Sequence, residues 1–193
     1  MYVWPCAPVL AQYIWHKREW IQGKKVLEIG AGTSLPGVMA AKCGALVTLS
    51  DDCQQPRSLE NCRRSCRAND LAGCEVIGLT WGRVSPAVVT LGKVDVILAS
   101  DCFYDTKDFE DVLFTFRYFI DKNQNTKCWV SYQERSSDRS IEPLLKKWHL
   151  SCSHIPLCLF SADSPTLGNS SLPGNHTIRM MEITAEASAT NST

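Results

Sequence analysis

The sequence predicts an α/β fold with a mostly parallel sheet and helices on both faces. Short apolar segments typical of strands alternate with amphipathic segments typical of helices over most of the chain. Residues 94–100 are apolar almost throughout, as expected for a strand that is covered on both faces. With 193 residues, of which 45% are hydrophobic and 21% charged, the chain has the size and composition of one globular domain.

The first half of the chain alternates between the two kinds of segment. Apolar residues from Val9 onward indicate a helix that ends before Gly23, and residues 25–29 follow as the first strand. A helix over residues 35–43 ends at Gly44, because glycine readily terminates helices. The next predicted elements are a strand at residues 46–50, a polar helix to about Arg67, and a strand at residues 74–80.

The second half continues the alternation and then departs from it. The predicted elements are a strand at residues 94–100, a helix at 109–120, a strand at 127–133 and a helix at 141–148. Residues 149–156 and 177–184 are strand-like and need no crossover helix, so they are predicted to pair as an antiparallel hairpin. The small polar residues 185–193 are predicted to be a disordered tail, which leaves residues 1–184 as a single domain.

Charge and cysteine usage argue against several classes of protein. Twenty basic and twenty acidic residues cancel, so no global field attracts nucleic acid or an anionic membrane, and neither is a predicted partner. No stretch is long enough to span a bilayer. Cys62 and Cys66 are interpreted as two reduced thiols one helical turn apart rather than half of a zinc site, so no metal is predicted.

A glycine-containing loop follows the first strand. Its residues Glu28, Gly30, Ala31 and Gly32 let the backbone turn sharply, approach a ligand, and present the free N–H groups of the next helix. A dinucleotide-binding loop would have glycine or alanine in place of Leu35, and Glu28 would repel a diphosphate. We therefore expect no oxidoreductase cofactor, but a cationic nucleoside ligand whose methionine ammonium group binds Glu28.

Two further residues follow neighbouring strands. Asp51 comes about 20 residues after Gly30, where an acid that binds ribose hydroxyls is expected. The alternative is that Asp51, or Asp52 in its place, caps the following helix. Trp81 either forms a flat wall against adenine or is a partly buried core tryptophan.

The fourth strand ends in the sequence Asp101-Cys-Phe-Tyr104. Functional residues gather at the carboxyl ends of parallel strands, so Asp101 and Tyr104 are predicted to face the reactive end of the ligand. Enzymes that methylate nucleobase amines usually carry two prolines inside a similar tetrad, and their absence counts against a nucleobase substrate.

Charged residues follow this tetrad and the fifth strand. The acids after Tyr104 either form a solvated helix start or hold a cationic side chain; they are Asp105, Asp108, Glu110 and Asp111. Glu134 and Arg135 end the fifth strand and are either a surface pair or part of an acceptor site.

The motifs together resemble the family 16 methyltransferases, seven-strand enzymes that mostly methylate protein side chains. The resemblance extends over nearly the whole chain, and its Asp-x-x-Tyr element is a hallmark of the family. The motifs that carry it are Val3-Trp-Pro5, Val26-Leu-Glu-Ile-Gly-Ala-Gly32, Leu35-Pro-Gly37, Leu79-Thr-Trp-Gly82, Asp101-Cys-Phe-Tyr104, Tyr132-Gln-Glu-Arg135 and His176-Thr-Ile178. Ser34 stands where the family often has a third glycine, and we expect it to be tolerated if its backbone angles are ordinary.

The resemblance implies a Rossmann-like class I (seven-strand) methyltransferase sheet and S-adenosyl-L-methionine as the cofactor. It places residues 1–22 as an N-terminal helix over the cofactor site. The residues that it implies for cofactor binding are Trp4, Glu28, Gly30, Ala31, Gly32, Asp51, Trp81 and Ser100. The implied catalytic residues are Asp101 and Glu134, which would orient the acceptor cation, and Tyr104, which would shape the acceptor channel.

The expected activity is methylation of a cationic side chain, with histone arginine as the first expectation and a role in chromatin regulation. The alternatives are methylation of lysine in a non-histone protein, and a non-catalytic module that binds the cofactor and holds a partner. The expected partners are a protein substrate, above all a histone, and chaperones or transcription factors. The expected location is nucleus and cytoplasm, although no compact basic run marks a nuclear address.

Overall fold

The computed structural model of the protein describes residues 2–135, 140–166 and 177–187. Its strands are β1 Lys25–Ile29, β2 Leu46–Asp51, β3 Glu75–Gly78, β4 Val96–Ser100, β5 Lys127–Gln133, β6 Leu150–Ile155 and β7 Ile178–Ala185. They form one sheet with the order β3-β2-β1-β4-β5-β7-β6. Strands β1 to β5 are parallel, and β7 pairs antiparallel with both β5 and β6. The predicted mostly parallel sheet with an antiparallel C-terminal hairpin is confirmed.

Helices flank this sheet. They are α1 Cys6–His16, α2 Arg18–Ile21, α3 Leu35–Lys42, α4 Pro56–Ala68, α5 Pro86–Thr90, α6 Phe109–Lys122 and α7 Glu142–Lys147. Short 3₁₀ turns lie at Thr106–Asp108 and Leu157–Phe160. The predicted N-terminal helix is divided in two at Lys17, which leaves the helical conformation with φ −95° and ψ 14°. Helix α5 was not predicted, because five residues are too few to show helical periodicity, although Ser85 caps it.

Alternate residues of the central strands point into two separate cores. On one face, Val26 and Leu98 pack with Leu10 of α1 and Cys62 of α4. On the other face, the intervening Leu27 packs with residues of α6 and α7. This two-residue alternation explains why the central strands read as continuous apolar runs, since both of their faces are covered.

The ends of some strands differ from the prediction. Strand β3 ends at Gly78 rather than at Thr80, whose hydroxyl turns away to donate to Asp52. Strand β4 begins at Val96 rather than at Val94, whose carbonyl accepts from the side chains that precede β5. Periodicity does not reveal such side-chain bonds, so it overestimates the length of these strands.

The chain is ordered beyond the predicted start of the disordered tail. Ala185 pairs with Leu150 in the β6–β7 ladder, and the Glu186 N–H donates to the His149 carbonyl at 3.0 Å. The predicted boundary at residue 185 is therefore wrong by at least two residues, because the ladder continues there. Residues 188–193 and His176 lie outside the described residues.

All ten cysteines are free thiols in the structure. Cys62 and Cys66 lie on the buried face of α4, one helical turn apart. Among the described residues, no helix is long and apolar enough to cross a membrane.

Candidate functional site

A cleft with a volume of about 830 Å³ opens at the carboxyl ends of the central strands. Strand β1 lies between β2 and β4 in the sheet, and the strand order reverses at this point. Open α/β sheets bind ligands at such a reversal, because the loops from neighbouring strands separate there. Ten predicted site residues line the cleft, namely Trp4, Glu28, Gly30, Ala31, Gly32, Asp51, Trp81, Ser100, Asp101 and Tyr104.

The loop after β1 forms one wall of the cleft. Gly30 and Gly32 adopt left-handed φ angles of +56° and +50°. A Cβ atom at Gly30 would lie 2.9 Å from Cζ2 of Trp81, so a larger residue would displace the ring. The N–H of Ala31 donates to the Ser50 carbonyl at 2.9 Å, which fixes the loop to the end of β2. The loop thus exposes its backbone to the cleft, as the sequence predicts.

The Asp51 carboxylate joins β2 to this loop. Its Oδ2 accepts from the Gly32 N–H at 2.9 Å, and its Oδ1 accepts from the Asp52 N–H at 2.8 Å. Each oxygen keeps a lone pair that can accept from a ribose hydroxyl. The alternative role as a helix cap is wrong for both acids, because Gln55 precedes α4 and no side chain caps it. Asp52 instead accepts from Thr80, and this hydrogen bond lowers the pKa of Asp52.

Glu28 lies at the buried end of the cleft. Its side chain is 1% exposed, and its Oε2 accepts from the Gly37 N–H at 3.0 Å. Burial raises the pKa of Glu28 to about 8, although the Gly37 hydrogen bond opposes the rise. The buried carboxyl therefore holds its proton more tightly than an exposed glutamate does, and an entering ammonium group would favour its ionised form.

Two aromatic side chains stand side by side in the cleft. The ring centroids of Trp81 and Tyr104 are 6.3 Å apart, with the ring planes at 61°. Trp81 packs against the core and also lines the cleft, so its position is compatible with both interpretations of this residue. Tyr104 is 49% exposed, and burial of its ring followed by the charge of Asp108 raises its pKa. Its phenol is therefore neutral and polar at physiological pH.

Asp101 lines the cleft but already has a cationic partner. Its backbone is left-handed, with φ +56°, and its side chain is buried. Arg135 donates to Oδ1 from Nη1 at 2.9 Å and to Oδ2 from Nη2 at 2.6 Å. This ion pair raises the pKa of Arg135. Arg135 also lines the cleft, and sequence reasoning left it between a surface pair and an acceptor site.

Glu134 is the one predicted site residue that the structure does not bring to the cleft. It accepts from Nη2 and Nε of Arg179 on β7, at 2.9 Å and 3.2 Å. Adjacent residues of an extended chain point in opposite directions, so only one of Glu134 and Arg135 can face the cleft. The expected partnership of Glu134 with Asp101 is therefore replaced by that of Arg135.

The acidic stretch after Tyr104 divides between two environments. Asp108 and Asp111 line the cleft, whereas Glu110 forms a salt bridge with Lys147 of α7. Sequence reasoning missed several other residues that line the cleft; they include Tyr2, Thr80 and Lys107. Their positions near strand ends, or beside Trp4, were the available signal. Residues 1–22 contribute to the cleft through Tyr2, Trp4 and Ala7, while α1 packs against the sheet.

Comparison with known proteins agrees with this architecture. A family model described as "Lysine methyltransferase" matches residues 1–144. The histone-arginine methyltransferase METTL23 of Xenopus laevis is 55% identical over 186 residues, covering 96% of this chain and 80% of that protein. Its Homo sapiens counterpart is 52% identical over 183 residues, covering 95% and 96%.

Solved structures extend the agreement to the fold. The magnesium protoporphyrin IX methyltransferase of Synechocystis, solved with S-adenosylmethionine bound, superposes with a TM-score of 0.59 at 14% identity, covering 92% of this chain and 80% of that one. At this identity the likeness concerns the fold alone. The family match over residues 1–144 and the two close relatives identify the chain as a member of the lysine methyltransferase family, whose methyl donor is S-adenosylmethionine.

Proposed function

We propose that the protein transfers a methyl group from S-adenosylmethionine to an arginine side chain of a histone. The observation that carries the proposal is that one cleft joins the glycine loop to an acidic end. Asp108 and Asp111 line the same space as Gly30 and Asp51, beside Asp101, whose charge is balanced by Arg135. A cleft of this composition favours a cationic acceptor next to a nucleoside cofactor. The names of the two relatives at 55% and 52% identity support histone arginine as the acceptor.

The residues of the cleft fit the cofactor. Gly30, Ala31 and Gly32 line the cleft, and the absence of a side chain at Gly30 lets the Trp81 ring pack directly against the loop. Glu28 would bind the methionine ammonium group, Asp51 the ribose hydroxyls and Trp81 one face of the adenine. When bound, S-adenosylmethionine supplies an electrophilic methyl group on a positively charged sulfur.

The protein would act mainly by alignment. With the cofactor held by Glu28, Asp51 and Trp81, its methyl group would pass to the acceptor nitrogen as the sulfur–carbon bond breaks, with S-adenosylhomocysteine as the other product and one proton released from the nitrogen to solvent. Holding the two groups in line replaces a bimolecular encounter by a local one. Deprotonation is the difficult step, since a lysine with a pKa of about 10.4 costs roughly 4 to 5 kcal/mol to deprotonate at neutral pH, and arginine costs more. Cleft carboxylates would orient the cation, and Tyr104 would shape the channel.

The alternative acceptor is lysine in a non-histone protein, which the description of the family favours. A non-catalytic module that binds the cofactor and holds a partner is a second alternative. We extend the proposal to chaperones or transcription factors as partners that bring the acceptor, and to nucleus and cytoplasm as the location, since histones pass through both.

Incubation with methyl-labelled S-adenosylmethionine and core histones, followed by mass spectrometry, tests the proposal. Gly30→Arg is the control, because its side chain would enter the cleft beside Trp81. Label on histone arginine that disappears in the control is the expected result. Label on histone lysine contradicts arginine as the acceptor residue, and cofactor binding without transfer to any histone contradicts the proposed substrate.

A further inference from the structure

Asp101, the carboxylate that the sequence predicts to bind the acceptor cation, already forms an ion pair with Arg135 of the same chain. Asp101 is 7% exposed, and both of its oxygens accept from the guanidinium of Arg135, at 2.9 Å and 2.6 Å. The Arg135 side chain is 27% exposed, so the pair is shielded on the Asp101 side and reaches the cleft on the Arg135 side. Two parallel N–H to oxygen bonds are a strong arrangement for such a pair.

Other groups hold Asp101 in this position. Its N–H donates to the Ser131 carbonyl at 2.7 Å, and its Oδ1 also accepts from the Gln133 N–H at 3.4 Å. The Cys6 thiol of α1 faces the carboxylate, and burial, followed by the charge of Asp101, raises the Cys6 pKa. The carboxylate is thus fixed between α1 and the end of β5. Because Arg135 belongs to the same chain and both of its hydrogen bonds to Asp101 are in place, a substrate cation would have to break them before it could pair with this carboxylate.

We propose that Arg135 is a positioning residue that takes up both oxygens of Asp101 and so prevents this carboxylate from capturing the acceptor cation. The inference rests on the proposed function, because it concerns a cationic acceptor in this cleft. It assigns to Arg135 a role that differs from both the surface pair and the acceptor ligand suggested by the sequence.

The chemistry of methyl transfer explains why the pairing of Asp101 with Arg135 would favour the reaction. A free carboxylate beside a lysine or arginine nitrogen stabilises the protonated form of that nitrogen and raises its pKa by about 1 to 3. Less of the nitrogen is then in the neutral form that attacks the methyl group. The free carboxylate would also hold the cation in a ground-state pair that must be broken before the nitrogen can attack. With Arg135 in place, the pair is neutral, and Asp108 and Asp111, which are more exposed than Asp101, remain to attract the acceptor.

The first test is binding, which does not depend on turnover. The probe is a short peptide of alternating arginine and glycine, titrated into protein that is saturated with S-adenosylhomocysteine. Arg135→Met, which keeps the length of the side chain but removes its charge, is expected to bind this peptide about tenfold more tightly than the wild type, because a buried carboxylate is freed. Arg135→Lys keeps the charge and is expected to bind the peptide like the wild type.

A double variant separates this role from a structural one. Arg135→Met combined with Asp101→Asn is expected to lose the gain in peptide affinity, because the freed carboxylate is gone. If Arg135→Met unfolds, its melting temperature will show it, and Arg135→Gln, which also removes the charge but can still donate to Asp101, then replaces it in the same comparison. Equal or weaker peptide binding by a folded Arg135→Met would overturn the proposal.

Steady-state kinetics on the acceptor found with core histones provide the second readout. In Arg135→Met both kcat and KM for the acceptor are expected to fall, as when a ground-state interaction is gained, and both are expected to recover in the double variant. A rise in KM with unchanged kcat would instead make Arg135 an acceptor ligand and overturn the proposal. If the wild type methylates no histone, the proposed function fails, while the peptide titrations still decide the role of Arg135.

Discussion

Ser34 has a backbone conformation that is unusual for a residue other than glycine. Its side chain is fully buried and its backbone is left-handed, with φ +62°, at the start of α3. Serine was expected to be tolerated here if its backbone angles were ordinary, and the left-handed φ angle shows that this condition is not met. A left-handed conformation costs an L-residue about 1 to 2 kcal/mol, which glycine avoids. The residue type that the family often has at this position is the one that the local geometry favours.

Replacing Ser34 by glycine is expected to stabilise the protein. Ser34→Gly removes the strain of the left-handed angle and should raise the free energy of unfolding by about 1 kcal/mol, after allowance for the greater freedom of glycine in the unfolded chain. For a chain of this size the melting temperature should rise by about 2 to 4 °C. Ser34→Ala is the control, because it removes the hydroxyl but keeps the Cβ atom. An equal gain in both variants would show that the hydroxyl, and not the backbone angle, is responsible.

Glu28 makes stability depend on pH. Its folded pKa of about 8 lies above the unfolded value of 4.5, so the folded state holds the proton more tightly. Its contribution is fully present below pH 4.5 and is lost as the pH rises through 8. Between these values the free energy of unfolding should fall by up to about 1.4 kcal/mol per pH unit relative to Glu28→Gln.

Urea unfolding at several pH values measures this difference. Glu28→Gln is a matched control, because the carboxamide oxygen can still accept from the Gly37 N–H. Parallel pH profiles for the two proteins would mean that Glu28 titrates near its ordinary pKa in the folded state.

Helix α3 lies unusually close to the sheet. A Cβ atom at Gly37 would lie 2.3 Å from Cδ2 of Leu49 and 2.4 Å from Oε2 of Glu28. The Gly37 N–H reaches Glu28 only because the helix lies so close to the strands. A single element thus links the packing of the core with the buried end of the cleft.

Gly37→Ala is therefore expected to destabilise the protein by about 1 to 3 kcal/mol, since the methyl group forces the helix or its neighbours to move. It should also weaken cofactor binding, because Glu28 is displaced. The control is Gly73→Ala, where nothing lies within 4 Å of the added Cβ atom. Chemical unfolding and isothermal titration of both variants measure the two effects, and similar results for both would refute the close approach of α3.

The end of β5 shows which site residues a strand pattern can predict. The position of the pair Glu134 and Arg135 at a carboxyl end of a strand correctly indicates that the site is near. Which of the two faces the cleft depends on the register of β5 with β7, where Arg179 lies opposite Tyr132 and binds Glu134. This register depends on contacts between segments far apart in the chain, so the sequence pattern could not decide which of the two side chains lines the cleft.

At the scale of the whole molecule, the cleft is built from loops of several strands, and cofactor binding should therefore stabilise the entire fold. At a cofactor concentration of 100 times Kd the gain is about 2.7 kcal/mol. The melting temperature should then rise by about 5 to 10 °C. Differential scanning fluorimetry with S-adenosylhomocysteine measures the shift, which should be absent for Gly30→Arg and for NAD. A comparable shift with NAD would contradict the exclusion of a dinucleotide.

The sequence by itself determined the alternation of the strands and the longer helices along the chain, the glycine loop, and ten of the residues that line the cleft. It could do so because local periodicity and the positions of strand ends follow from neighbouring residues. Only the tertiary structure decided three features. Arg135 forms an ion pair with Asp101, Glu134 binds Arg179, and Ser34 has a left-handed backbone conformation. These features depend on the register and packing of distant segments, which a local pattern does not contain.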